Sequence, residues 1–156
     1  MMGTIVGLFA APSGGVPKAR VETLLITTTG CAGDKQNDLK HHGGPTKAVC
    51  IMAEDLLIEL QREGHPIQGG TTGENLLISG IPWNCFHQGD LIKTEEVVLR
   101  ITGDAPPCKT IKDSFTEGSF KAISHKITEG RTRWYAEVIE EGRLHHGENI
   151  VLESIS

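Results

Sequence analysis

Ala105-Pro106-Pro107-Cys108-Lys109 is the stretch of this sequence best suited to chemistry. Two prolines fix φ and remove two backbone donors, so neither a strand nor a helix continues through them. Cys108 is therefore presented on a stiff corner, after the strand-like run Val97 to Thr102 and a turn at Gly103-Asp104. A thiolate is both a nucleophile and a soft metal ligand, and the adjacent Lys109 ammonium favours it. The same pattern fits a small cysteine packed under a loop, because free cysteines are among the most buried residue types.

Other clusters could bind. Lys40-His41-His42-Gly43-Gly44-Pro45-Thr46-Lys47 surrounds a Gly-Gly-Pro turn with two imidazoles and two ammonium groups. Successive backbone N–H groups in such a turn make an anion-binding nest, and the side-chain donors add to it. A solvated loop with locally bonded histidines fits equally well. A zinc site is disfavoured, because adjacent His41 and His42 on a strand point to opposite faces. In Gly73-Glu74-Asn75, the Asn75 amide suits a heterocycle edge or a turn that satisfies its own backbone. In Gly130-Arg131-Thr132-Arg133-Trp134, two guanidiniums could clamp phosphate or merely flank a buried Trp. Lys18 and Arg20 follow the breaker-rich loop Ala11 to Pro17 and add cations near the start of the chain. If these clusters form one site, Lys18, Arg20, His41, His42, Lys47 and Asn75 should converge near Cys108.

The composition is that of an ordinary globular domain, and 156 residues suffice for one domain with a real core. Fifteen Lys and Arg against 20 Asp and Glu give a net charge of −5, which excludes nucleic-acid binding through bulk charge. The four cysteines, Cys31, Cys50, Cys85 and Cys108, have no finger-type spacing. Met1 to Ala11 lacks the basic start of a secretion signal. No apolar run approaches the roughly 20 residues that span a bilayer. A cytoplasmic protein with reduced thiols, and no nucleic-acid or membrane partner, is expected.

The elements that position these residues are mostly short strands. Thr4–Ala10, Val21–Thr29, Lys47–Met52, Glu74–Ile78, Leu91–Thr94 and Val97–Thr102 read as strands. Trp134–Ile139 and Asn149–Leu152 read as a closing pair, with Gly142 and Gly147 as turn residues. Ala53–Glu63 is the clearest helix: Leu56, Leu57 and Leu60 share one face and the acids share the other. Ser119–Thr128 is a second helix candidate through Phe120, Ile123 and Ile127. Gly33–Pro45 is a long polar connection of the kind that binds ligands. Seven or eight short strands with two or three peripheral helices and no βαβ alternation predict a mainly β fold, a closed or nearly closed β-barrel.

Taken in order, Gly33-Asp34, His41-His42-Gly43-Gly44-Pro45 with Lys47-Ala48-Val49, Gly69-Gly70-x-x-Gly73-Glu74-Asn75-Leu76, Gly89-Asp90, Pro107-Cys108 and Gly130-Arg131-x-x-Trp134 resemble the MOSC domain, and most of all its small, stand-alone bacterial members. The likeness runs from about Ile5 to Leu152 as a single domain. It implies a barrel that binds a molybdenum–pterin cofactor (molybdopterin). The cysteine matching Cys108 would be the protein ligand to molybdenum and the catalytic residue. Lys18, Arg20, His41, His42, Lys47, Asn75 and Arg131 would contact the cofactor. The resemblance implies either a reductase of N-hydroxylated bases or related N–O compounds, or a non-catalytic cofactor-binding or persulfide-carrying module. The reductase would need a separate flavin or iron–sulfur electron donor, and the carrier would meet cofactor-synthesis proteins. Two positions depart from the family pattern: Lys47 replaces a common arginine, and Glu148 stands where Gly-Asp is usual.

Overall fold

Val49-Cys50-Ile51-Met52-Ala53 is apolar at every position, so this strand must be covered on both faces. The computed structural model, which describes residues 1–34 and 44–155, gives it that environment. In chain order the strands are β1 Met2–Ala10, β2 Ala19–Arg20, β3 Thr23–Thr27, β4 Gly30–Cys31, β5 Val49–Ala53, β6 Leu76–Ser79, β7 Leu91–Lys93, β8 Val98–Ala105, β9 Arg133–Glu140, β10 Gly142–His145 and β11 Asn149–Glu153. The α-helix, α1, is Glu54–Arg62. Seven strands form a sheet in the order β11-β7-β8-β9-β5-β6-β1, and β1 pairs with β11 to close it, Met2 opposite Val151. β2 is an additional strand on β1, with Phe9 opposite Arg20. The expected β-barrel is therefore present and closed.

Two cores explain the patterning. Ile5, Leu8, Val49, Ile51, Leu76, Ile78, Ile92, Leu99, Ile101, Trp134, Ala136, Ile150 and Leu152 fill the barrel. Alternate positions point outward, where Phe9, Met52 and Leu77 meet Leu56, Leu57 and Leu60 of α1 together with Ile111, Phe115 and Ile123. β5 and β6 are the one parallel pair among the described strands, and α1 lies in the crossover between them. Both strands are thus sandwiched between the barrel interior and a helical cover. The β3–β4 turn and β10 make a smaller three-stranded sheet, which adds Leu24, Ile26, Cys31 and Leu144 to the interior core.

Two local expectations are corrected. Trp134–Ile139 and Asn149–Leu152 do not pair with each other. β9 lies between β8 and β5, and β11 lies between β7 and β1. The intervening segment is itself a strand, β10, paired with β3. Gly142 is not a simple turn residue: a Cβ there would lie 2.6 Å from Glu96 Cβ, so its lack of a side chain lets the 95–96 turn pass. The second helix shrinks to a 3-10 turn at Phe120–Ile123 and ends at Ser124 in extended backbone. Ile127, which the period would bury, is 65% exposed. Glu117, at φ 56, and Gly118 turn the chain just before it, so each helical stretch stays short.

Candidate functional site

Three successive carbonyls organise one region outside the barrel. Gly70 O accepts from Lys18 N at 2.9 Å, Thr71 O from Ser114 Oγ at 3.3 Å, and Thr72 O from Arg133 Nη1 at 2.6 Å. The Gly70–Thr72 strip therefore ties together the loop before β2, the 3-10 segment that follows Cys108, and the first residue of β9. Gly70 has φ +83, and a Cβ there would overlap the Lys18 carbonyl, so only glycine allows this approach.

Lys18 and Asn75 do converge, on Asp34. Asp34 Oδ2 accepts from Lys18 Nζ and from Asn75 Nδ2, each at 2.8 Å, and Oδ1 accepts from Ala11 N at 2.8 Å. The ion pair is buried, with side chains 5% and 3% exposed. Asn75 is a seam residue. Its Oδ1 accepts from Cys50 N and its second N–H goes to Phe9 O, so the amide joins β5 to β1 ahead of β6. Both of its donors are thereby used within the protein.

Arg133, which the sequence offers as half of a phosphate clamp or as a flank to Trp134, and Glu74 are both buried in this region. Arg133 alternates in phase with Tyr135, whose outward face carries Cys50 and Ala105. Its guanidinium also donates to Ala105 O at 3.1 Å and Pro106 O at 3.3 Å. Glu74 Oε1 accepts from Thr72 Oγ1. Glu74 Oε2 and Arg133 Nε lack partners among the described residues. Burial pushes the Glu74 carboxyl up, against the pull of its hydrogen bonds and the Arg133 charge. Burial likewise raises the Cys50 thiol. It pushes Cys31 up to about 12, helped by the Asp34 charge. The signal that could have found Arg133 is the two-residue period: a charge in phase with an aromatic on a strand covered on both faces.

Cys108 lies where the prolines predict, half-buried between β8 and a 3-10 segment, Lys109–Ser114, with its sulfur 2.8 Å from Thr110 Oγ1. Lys109 and Lys112 beside it are exposed. The other expected contacts disperse. Lys47 Nζ stands 5.5 Å over the Tyr135 ring, on the face that carries Cys50. Arg20 stacks on Phe9 and donates to Val6 O. Arg131 donates to Glu59 of α1 and to Glu63 just past its last residue, each at 2.7 Å, which commits it to that end of the helix. His41 and His42 lie outside the described residues. Among the described residues no group of three or more His, Cys, Asp or Glu could hold a metal ion, and no helix is long and apolar enough to cross a membrane.

The MOSC domain family model matches residues 38–151. YflK of Bacillus subtilis (strain 168) is 34% identical over 124 residues, 78% of this chain and 55% of that protein. Protein YiiM of Escherichia coli (strain K12) is 24% identical over 125 residues, with the same coverage. The chain spans about half the length of the curated relatives it matches. Among solved structures, the YUAD protein of Bacillus subtilis superposes with a TM-score of 0.81 at 18% identity, covering 100% of this chain and 98% of that one. YiiM from Geobacillus stearothermophilus gives 0.66 at 20% identity, covering 99% and 76%. At such identities the structural likeness speaks for the barrel alone. The family match and the YflK alignment carry the assignment further: the chain belongs to the MOSC domain family.

Proposed function

We propose that this protein is a molybdenum cofactor-dependent reductase of N-hydroxylated bases or related N–O compounds, in which the Cys108 sulfur is the protein ligand to the metal. The MOSC family is associated with molybdenum cofactor binding in general. The observation that carries the reading is the contrast among the cysteines. Cys31 and Cys50 are buried, and burial holds both thiols protonated. Cys108 and Cys85 are half-buried, and of the two it is Cys108 that directly follows a pair of prolines on a stiffened corner, with Lys109 beside it. A thiolate there suits a soft metal, so the donor chemistry fits the group. The chemistry the cofactor supplies when bound is two-electron removal of oxygen from an N–O bond. His41, His42 and Lys47 are the candidates for the pterin phosphate. No ferredoxin-type cysteine set is present in the sequence, so electrons would come from a separate flavin or iron–sulfur protein.

A second reading, a cofactor-binding or persulfide-carrying module served by cofactor-synthesis proteins, is favoured by one finding. Lys18, Asn75 and Arg131 are engaged by protein groups rather than left to a cofactor. The deciding experiment is molybdenum and pterin per chain, measured on protein purified from cells that make the cofactor, followed by turnover of an N-hydroxylated purine with a chemical reductant. Cys108→Ser should keep the fold, with a stability change on the order of 1 kcal/mol, and lose the metal. Cys31→Ser, Cys50→Ser and Cys85→Ser should keep the metal. Equal metal in Cys108→Ser and wild type overturns the ligand assignment. Metal without turnover decides for the module.

A further inference from the structure

We propose that Arg133 is the positioning residue for the Cys108 thiol, fixing from within the protein the corner on which that thiol stands. The β8–β9 ladder ends at Ala105 opposite Arg133. The next two residues are prolines, which have no N–H to offer any neighbour. Carbonyl oxygens are therefore the backbone handles left at positions 106 and 107. Arg133 takes the Ala105 and Pro106 carbonyls with Nη2, and its Nη1 is bonded to Thr72 O. One planar fork thus fastens the corner to the Gly70–Thr72 strip. A lysine ammonium, a point donor on a flexible stem, cannot span three carbonyls in that plane.

The arrangement is costly, which makes it informative. Arg133 is 4% exposed, and among the described residues no carboxylate makes an ion pair with it. Burying a guanidinium costs several kcal/mol unless its donors are well placed. Filling this position with an apolar side chain would cover Cys50, Ala105 and Tyr135 without that cost, but it would leave the corner unfastened. Ser114 Oγ on Thr71 O gives the far side of the same segment a second, weaker tie to the strip. Cys108 sits between the two fastenings.

The inference rests on the proposed function only for what the thiol is held ready to do, and its test does not need molybdenum. Cys108 alkylation by iodoacetamide is followed by peptide mass spectrometry in metal-free protein, well below the melting transition. Half-buried Cys85, in a turn that Arg133 does not touch, serves as the internal clock. In Arg133→Lys the Cys108 to Cys85 rate ratio should rise by at least roughly threefold, as expected for a segment whose local opening becomes easier. Ile92→Ala, in the barrel interior, should lower the melting temperature and leave the ratio unchanged. A wild-type ratio in Arg133→Lys, with only a lower melting temperature, overturns the proposal and makes Arg133 a core residue. Arg133→Gln keeps a planar two-donor amide and is read the same way. Failure of both variants to fold would also assign Arg133 to the core. Molybdenum retention by Cys108→Ser would overturn the ligand reading while leaving the alkylation result standing, so the two failures are distinguishable.

Discussion

Asn75→Asp is nearly isosteric, yet it should be among the most damaging single-atom changes available to this protein. The substitution keeps the oxygen that accepts from Cys50 N and replaces the amide nitrogen by a second oxygen. That nitrogen lies 2.8 Å from Asp34 Oδ2 and 3.1 Å from Phe9 O, so an acceptor would face two acceptors inside a buried network. Two charges 2.8 Å apart repel by roughly 6 kcal/mol at an effective dielectric of about 20. The cheaper route is for the carboxyl pair to hold one proton. At pH 7 this costs about 4 kcal/mol against an ordinary aspartate near 3.9. That proton is bound in the folded variant and absent in the unfolded chain, so acid favours the fold, and stability is lost as pH rises. The penalty relative to wild type should thus be about 4 kcal/mol at pH 7 and shrink by about 1.4 kcal/mol per pH unit toward pH 5. At about 2–4 °C per kcal/mol for a chain of this size, melting should fall by roughly 8–16 °C at pH 7. Thermal and urea unfolding, followed by circular dichroism at pH 7, 6 and 5, read both numbers. A wild-type melting temperature at pH 7, or a penalty that does not move with pH, would refute the convergence of Asn75 and Lys18 on Asp34.

Three further outcomes are expected. Glu74→Gln removes a carboxylate that burial disfavours, so it should stabilise the protein increasingly as pH rises through the raised pKa of Glu74 and have little effect in acid; urea midpoints across pH check the sign. The Cys31 thiol keeps its proton to about 12 when folded but loses it near 9 when unfolded, so stability should drop as pH rises beyond 9, and Cys31→Ala should flatten that drop in the same titration. Gly70→Ala places a Cβ on the Lys18 carbonyl at φ +83 and should cost more than the roughly 1 kcal/mol typical of point mutations, read as a lowered melting temperature with Lys18 and Asp34 unchanged in sequence.

What could be read from the sequence follows the range of the forces involved. Helix α1 was legible to within a residue at each end, because its apolar stripe and its stop at Gly64 are local. The strand at Val49–Ala53 was legible for the same reason, and the Cys108 corner because prolines act on their own backbone. Strand partners were not legible. Nothing within Trp134–Ile139 says that it must sit between β8 and β5, since that follows from closing a barrel whose ends, Met2 and Val151, are 149 positions apart. The two arginines show the same limit in one tripeptide. Arg131 and Arg133 are equivalent as composition, and both suggested an anion clamp. Arg131 lies before β9 begins and meets two acids at the end of a helix some 70 positions earlier, Glu59 and Glu63. Arg133, the first residue of β9, shares the face of Tyr135 and meets three carbonyls instead. Lys18 and Asn75 meet at Asp34, whose carboxylate supplies from within the chain an acceptor for donors that the sequence assigns to a cofactor. A cluster of donors in a sequence therefore marks where an acceptor must be. Only the fold decides whether that acceptor is a ligand or the protein's own carboxylate, because that depends on which residues the barrel brings within 3 Å, on the scale of a hydrogen bond.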